Sequence, residues 1–291
     1  MAEKSWTVAE ILAVTADFLG QKDPSCPRLE AELLLSQVLK LPRVQLYINF
    51  ERSLTQEEIV SYRALVRRRA EREPVAYILG HKEFYKLDLI VNPSTLIPRP
   101  ETERLVDEAL RVLKSLKEEA PIAADVGCGS GAISLALAKN VTNLKVMASD
   151  ISPEALLVAE KNAASFALKD RVSFFLGDLL APFEQTKFDL ICANLPYVPQ
   201  DQMPTLPPDV ALYEPTLALC GGAEGLAVIE KLIEAAPQNL KPGGRLLLEI
   251  WPPSLSKIEA IAKQRGLTPL TPVYDYAKKA RVFCASLSLE S

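Results

Sequence analysis

Histidine is nearly absent from this chain, where His81 is the only one. That scarcity excludes Ser-His-Asp hydrolysis and multi-histidine metal chemistry, and His81 itself reads as a hairpin-edge residue. Cysteine is also sparse. Cys26, Cys128, Cys192, Cys220 and Cys284 are odd in number, widely spaced and without a C-x-x-C pattern, which fits buried reduced thiols rather than a disulfide framework or a zinc site. No metal is expected. No apolar run approaches the roughly 18 residues of a membrane span, and Met1 to Ser5 lack the apolar stretch of a signal peptide. A cytoplasmic protein with no membrane association is expected. An excess of basic charge is missing too: the net charge is -4 and the pI near 5.4, so nothing pulls the chain toward phosphate backbones and no direct nucleic acid partner is expected. The run Arg63, Arg67, Arg68, Arg69 and Arg72 is interleaved with Glu71 and Glu73 and reads as a solvated helix surface.

The 48% apolar and 24% charged residues, spread over 291 positions, suit a protein with one domain of about 200 residues and a smaller one. Residues 1–73 read as helices only. Thr7 to Glu10 is a capping box opening a helix whose apolar face is Ile11, Leu12, Val14, Phe18 and Leu19, with Gly20 at its end. Pro27 opens a second helix with the stripe Leu29, Leu33, Leu34, Val38 and Leu39. A second capping box, Thr55 to Glu58, starts a helix through Ile59, Tyr62, Leu65 and Val66. Nothing in this bundle looks catalytic, so a docking or packing module is expected. Residues 74–99 read as a linker, with Phe84, Leu87, Leu89 and Val91 alternating as in a hairpin. From residue 100 to 291, strand-like runs (122–126, 144–149, 172–176, 188–193, 245–250) alternate with helix-like runs (101–117, 132–139, 153–167, 226–236). That order predicts a mostly parallel sheet with helices on both faces, closed by antiparallel segments near 268–274 and 280–287. Pro199 to Pro215 reads as a loop beside the site.

Polar and glycine-rich elements sit at successive strand ends. Gly127, Cys128, Gly129, Ser130 and Gly131 follow the first strand, where glycines let the backbone turn tightly and approach a ligand. With Ala132 the segment also satisfies the loose dinucleotide fingerprint, so it does not by itself separate a nicotinamide from S-adenosylmethionine. Asp150 ends the second strand, suited to the two ribose hydroxyls of either cofactor. Asp178 and Leu179 follow the third, where a carboxylate suits an adenine amino group and an apolar side chain its ring; an Asp capping a turn reads equally well there. Asn194, Leu195, Pro196 and Tyr197 follow the fourth.

The tetrapeptide narrows the chemistry. A planar amide or amino nitrogen is a poor nucleophile, because its lone pair is delocalised, so a catalyst must hold its hydrogens on fixed acceptors and aim it at the methyl donor. An Asn carbonyl, the neighbouring backbone carbonyl and an aromatic wall supply that arrangement. The rival readings are an adenine-amine methyltransferase on DNA or RNA, which uses the same chemistry on a flipped base, a nicotinamide-dependent oxidoreductase, which leaves Asn194 to Tyr197 idle, and a non-enzymatic adenosyl-ligand sensor.

With these motifs in place, the chain closely resembles the HemK/PrmC methyltransferases over nearly its whole length. The resemblance is carried by Glu73 to Gly80, Leu96 to Glu103, Asp125 to Gly131, Asn194 to Tyr197, and the later stretch from Glu214-Pro215 through Gly221-Gly222 and Glu224-Gly225 to Leu248-Glu249-Ile250. Ile97 to Glu103 distinguishes it from the sister ribosomal-protein glutamine methyltransferases. The resemblance implies a Rossmann-like S-adenosylmethionine-dependent α/β domain with a mostly parallel seven-stranded sheet, preceded by a small all-helical domain. It implies methylation of the Gly-Gly-Gln glutamine in peptide chain release factors, with S-adenosyl-L-homocysteine as the other product; a monomer is expected. Donor contacts are then expected from Gly127 to Gly131, Asp150, Asp178, Leu179 and Asn194. Pro100, Glu101 and Thr102 are expected to flank the donor's methionine end, and Asn194 to Tyr197 to hold the glutamine amide. Three residues depart from the family pattern: Leu195 replaces a proline, Lys86 a hairpin glycine, and Trp251 a glycine.

Overall fold

In this computed structural model the residues described are 6–22, 26–275 and 277–288; the N-terminal stretch Met1 to Ser5 lies outside them. The chain forms two compact units. The first comprises Met1–Gly80 with Pro208–Tyr213, and the second His81–Pro207 with Glu214–Ser291. The division falls after Gly80, so the hairpin read as a linker belongs to the second unit.

The first unit contains helices α1 (Val8–Gly20), α2 (Pro27–Leu39), α3 (Arg43–Ile48), α4 (Gln56–Ala70) and α5 (Val75–Leu79). Both capping boxes form: Thr7 and Thr55 each accept an N–H three residues on, while Glu10 and Glu58 reach back. Two apolar faces differ from those expected. On α1 the buried residues are Val8, Ile11, Leu12, Thr15 and Leu19, whereas Val14 and Phe18 are exposed. On α2 the buried side is Ala31, Glu32, Leu34 and Leu35, and Leu29 faces outward. Glu32 is tolerated inside because Arg28 (2.8 Å), Arg43 (2.9 Å) and the Tyr47 phenol (2.5 Å) surround its carboxylate, so its charge is paired as well as hydrogen-bonded. Nor is the arginine run merely a solvated face. Arg69 is buried against Glu30 at 2.9 Å, and Arg68 meets Glu73 with two hydrogen bonds.

The second unit opens with hairpin strands β1 (His81–Phe84) and β2 (Leu87–Ile90), and His81 Nδ1 lies 2.7 Å from Asp88. Its two turn residues, Tyr85 and Lys86, both have positive φ (48° and 62°), the geometry of the tight hairpin turns that favour Asn-Gly. The Glu103 carboxylate accepts the Tyr85 N–H at 2.9 Å. Next come α6 (Glu103–Ser115), β3 (Ile122–Val126), α7 (Ala132–Asn140), β4 (Lys145–Asp150), α8 (Pro153–Ser165), β5 (Val172–Leu176) and β6 (Phe188–Ala193). Helix α9 (Pro208–Tyr213) then contributes to the first unit, where the Tyr213 phenol donates to the Glu71 carbonyl. The segment expected to be a loop thus holds this helix and the 3₁₀ turn Gln200–Thr205. The second unit resumes and ends with α10 (Ala227–Asn239), β7 (Leu240–Glu249), α11 (Leu255–Gln264), β8 (Leu267–Pro269), β9 (Val273–Tyr274) and β10 (Ala280–Leu287).

The sheet follows the order β5-β4-β3-β6-β7-β10-β8, seven strands in a continuous path, and the two-residue β9 joins β10 as an eighth. The first five are parallel, and β10 runs antiparallel to its neighbours. Central parallel strands carry helices on both faces, which buries their side chains; all six residues of β6 are buried, while the edge strand β5 is largely open. Strand order reverses between β3 and β6, which creates a crevice beyond their carboxyl ends. No described helix is long and apolar enough to cross a membrane.

Candidate active site

A cavity of about 520 Å³ opens at that reversal point. Gly127, Cys128, Gly129, Ser130, Asp150, Asp178, Leu179, Asn194, Leu195, Pro196 and Thr102 line it. Gly131, Pro100, Glu101 and Tyr197 do not. Pairing of Val126 with Ala193 sets the end of β3 beside the end of β6, so Gly127 and Asn194 leave the sheet side by side.

The glycine loop is held by its own backbone. Gly127 and Cys128 donate to the Ser149 carbonyl at 2.8 and 3.0 Å, and Gly131 to that of Cys128 at 2.8 Å. Gly127, Gly129 and Gly131 have φ of 72°, 54° and 79°, a region that other residues enter at a cost of roughly 1–2 kcal/mol. A Cβ at Gly129 would meet nothing within 4 Å, whereas one at Gly127 would come within 2.9 Å of Leu195 Cδ2. The loop therefore leaves open space at Gly129 and is packed by Leu195 at Gly127.

Asp150 is aimed by two N–H groups, Gly129 on Oδ2 (2.8 Å) and Ser152 on Oδ1 (2.9 Å). Each carboxylate oxygen keeps a further lone pair, which matches the two adjacent hydroxyls of a ribose. Leu179 has a φ of 50°, and the Ser149 hydroxyl donates to its carbonyl at 2.6 Å. That bond secures an unfavourable backbone that turns the Leu179 side chain into the cavity. Asp178 beside it is exposed. An open glycine cradle, a diol-matching carboxylate and an apolar wall fit an adenosyl group.

Behind the loop, Asp125 is fully buried and accepts the Ser134 N–H (2.9 Å) and hydroxyl on Oδ2, while Oδ1 has no partner among the described residues. Burial pushes its carboxyl up to about 6 against the pull of Ser134. The Cys128 thiol is likewise raised by burial and by the Asp125 and Asp150 charges, so it does not act as a thiolate.

The Asn194 segment is built from both sides. Asn194 Nδ2 donates to Thr102 Oγ1 at 3.1 Å, which leaves Oδ1 as the free end of the amide. Thr102 is the buried end of the 3₁₀ turn Pro100–Thr102, whose other two residues are exposed. Tyr197 points its phenol at Glu249 Oε1, 3.4 Å away, and its ring packs with the core behind the cavity. The strand-like pairing of Val198 with Cys220 zips the following chain to Leu219–Gly222 through bonds of 2.9 Å. A Cβ at Gly221 would fall 2.5 Å from the Pro196 carbonyl, and one at Gly225 would fall 2.3 Å from that of Tyr197. Those glycines let two backbones touch.

Several supports carry no recognisable motif. Asn162, on the buried side of α8, bonds both the N–H and carbonyl of Ile90 and the carbonyl of Ser130; a polar residue in an apolar helix stripe is its only sequence signal. Glu214 accepts Arg99 and the Ile97 N–H, fixing the Ile97–Arg99 stretch at the cavity wall. Val228 and Lys231 of α10 complete that wall.

Residues 10–80 match the family described as the PrmC N-terminal domain, and residues 117–264 a methyltransferase domain family. A release factor glutamine methyltransferase from Geobacter sulfurreducens is 45% identical over 255 residues, covering 86% of this chain and 87% of its own. One from Rhodopirellula baltica is 40% identical over 273 residues, covering 91% and 92%. Among solved structures, a methyltransferase from Pyrococcus furiosus is similar with a TM-score of 0.51 at 20% identity, over 71% of this chain and 92% of that one. A T. thermophilus 16S rRNA methyltransferase, solved with AdoMet (S-adenosylmethionine) and guanosine, has a TM-score of 0.50 at 19% identity, over 71% and 49%. These two structures speak for the fold alone.

Proposed function

Because the chain belongs to the release factor glutamine methyltransferase family and S-adenosylmethionine is its methyl donor, we propose that it methylates the side-chain amide nitrogen of the glutamine in the Gly-Gly-Gln loop of peptide chain release factors. When bound, the donor supplies a methyl on a sulfonium, which the glutamine nitrogen takes by direct in-line displacement. Asn194 Oδ1 and the Leu195 carbonyl accept the two amide hydrogens. Attack builds positive charge on that nitrogen, so the same acceptors bind the transition state more tightly than the ground state. The observation that carries this reading is the Asn194 Nδ2 to Thr102 bond: it commits the donor end of the amide and leaves the acceptor end for a substrate N–H. Asp150 holds the donor's ribose, and the open space at Gly129 leaves room for the donor against the loop backbone. Mass spectrometry of a release factor incubated with the protein and isotopically labelled donor tests it. A single methyl on the Gly-Gly-Gln glutamine is expected; methyl transfer to adenine in nucleic acid, and none to the factor, would replace this reading with its closest rival.

Docking of the intact factor falls to the helical unit. Among its described residues it has no catalytic constellation, but between α1 and α4 it carries a groove of about 470 Å³ lined by the exposed Val14 and Phe18 and by Lys22, Arg63 and Arg67. Phe18→Ser is expected to raise KM for the intact factor by roughly tenfold, the scale of one apolar anchor, with KM for a short Gly-Gly-Gln peptide unchanged. Equal effects on both substrates would remove docking from this groove.

A further inference from the structure

Glu249 has no part in the chemistry above, yet it sits directly behind it. It ends β7, one residue after Leu248, which pairs with Ala193 of β6. Its side chain is 3% exposed. Oε1 receives the Tyr197 phenol at 3.4 Å, the Thr102 hydroxyl lies close enough to favour the charged carboxylate, and Oε2 meets no hydrogen-bond partner among the described residues. No cation makes an ion pair with it among the described residues. Thr102 therefore stands between two groups, Glu249 and the Asn194 amide.

A hydroxyl has one proton to give. An ionised carboxylate only accepts, so when Thr102 donates to Glu249 it can meet Asn194 only as an acceptor. That choice turns Nδ2 toward Thr102, as observed at 3.1 Å, and leaves Oδ1 for the cavity. Were the carboxylate neutral, the Thr102 proton would be free to bond Oδ1. The amide would then be held equally well in the flipped orientation, presenting N–H donors where the substrate's own N–H groups must be accepted. We propose that Glu249 is a positioning residue that selects, through the Thr102 hydroxyl, which end of the Asn194 amide faces the substrate. This rests on the reading that Asn194 Oδ1 holds the glutamine amide. The logic is that of a buried carboxylate fixing a catalytic imidazole in its productive tautomer, applied to an amide flip.

The arrangement is sensitive to pH. Burial pushes the Glu249 carboxyl up to about 7, and Glu101 adds to the shift; the hydroxyls of Thr102 and Tyr197 and the Arg281 guanidinium oppose it. Arg281 is itself bound to Asp275 at 2.8 Å, so its charge is already shared. As pH falls through that range Glu249 gains a proton, the Thr102 hydroxyl is released and the Asn194 amide loses its preferred orientation.

The test uses Glu249→Gln in the full-length enzyme, which keeps the side chain's shape while adding a donor. Its kcat is expected to fall roughly 10- to 100-fold, a fraction of the loss from removing an oriented acceptor outright, with the donor Kd within about twofold. The acidic limb of the kcat profile is expected to disappear with it. Thr102→Val should reproduce the loss and Thr102→Ser restore activity, and this pair decides the question if Glu249→Gln fails to fold. A second arm needs no protein substrate. In the donor-bound enzyme, the ¹⁵N side-chain amide resonances of Asn194, identified by their absence in Asn194→Ala, should titrate near neutral pH and should stop titrating in Glu249→Gln. Resonances that titrate identically in both proteins would overturn the proposal. So would a wild-type kcat and pH profile in Glu249→Gln. Failure of the unaltered enzyme to methylate the factor would strike the functional reading, leaving the resonance arm to decide the positioning role.

Discussion

The helical unit pairs its buried carboxylate with cations, whereas the sheet unit pairs some of its own and leaves two without. In the helical unit Glu32 is met by two guanidinium groups and a phenol, and although burial works to raise it, those partners hold its carboxyl below the ordinary value of 4.5. In the sheet unit, Asp189 and Glu214 are paired in the same manner with Lys241 and Arg99. Asp125 and Glu249 are not: each is buried, each has one oxygen without a partner among the described residues, and both are pushed up, to about 6 and about 7. These two lie near the carboxyl ends of β3 and β7, beside the cavity. The two buried carboxylates left without a cation are thus both at the site. Leu179 adds a strained backbone there, its φ of 50° lying in the left-handed region.

The most severe loss is expected where the site's polar ends are specific. Asn194→Ala should cut kcat by about 10²–10³, the usual loss for one preorganised electrostatic partner, while the donor Kd measured by calorimetry stays within about twofold. Full activity in that variant would end the amide-clamp mechanism while leaving the fold and donor intact. Asp150→Ala comes next, weakening donor binding by roughly 1.5–3 kcal/mol, the scale of hydrogen bonds to a charged group. Unchanged donor affinity would take Asp150 out of the site.

The third expectation addresses the contrast itself, through pH and stability. The folded sheet unit holds protons on Glu249 and Asp125 that the unfolded chain releases. Their contribution is complete below pH of about 4 and is lost as pH rises toward 7; each tenfold difference in proton affinity between the folded and unfolded chain is worth about 1.4 kcal/mol. Glu32 has the reverse sign: its contribution is complete above the ordinary value of 4.5 and is lost as pH falls through its lowered value. One tryptophan lies in each unit, Trp6 and Trp251, so single-tryptophan variants can follow urea unfolding of each separately. On going from pH 8 to pH 5 the Trp251 transition should move to higher urea, and Glu249→Gln should shrink that movement. An equal movement with and without Glu249→Gln would mean the carboxyl titrates normally. The mildest effect lies away from the site. Lys86→Gly places glycine at a φ of 62° and should stabilise the hairpin by up to about 1 kcal/mol, with kcat unchanged; a loss of stability would mean that the Lys86 side chain holds the turn.

Most of the frame was legible because its signals are local. The capping boxes at Thr7 and Thr55, the apolar runs of β3 and β6 and the glycine loop each depend on residues close in sequence. Helix α11, Leu255–Gln264, leaves little trace, because its buried residues are only Ile258 and Ala262 and its stripe is thin. The faces of α1 and α2 depart from the count of apolar residues, which gives no hint that Glu32 finds Arg43 eleven positions away. The site was legible at its strand ends, where chemistry and position coincide. Its supports were not, since Asn162, Glu214 and Glu249 act over separations of 32 to 117 residues.

The alternation of strands and helices, the positions where glycine admits a ligand, and the order in which polar groups meet the sheet's carboxyl edge were all set by the amino-acid sequence. They follow from backbone sterics and side-chain periodicity, which act over a few residues. Three outcomes needed the tertiary structure: which end of the Asn194 amide is free, which carboxyls are left without a cation, and that Tyr197 turns toward Glu249 rather than into the cavity. Those outcomes depend on hydrogen bonds and burial between residues distant in the chain, and such contacts acquire their energy only when folding removes both partners from water.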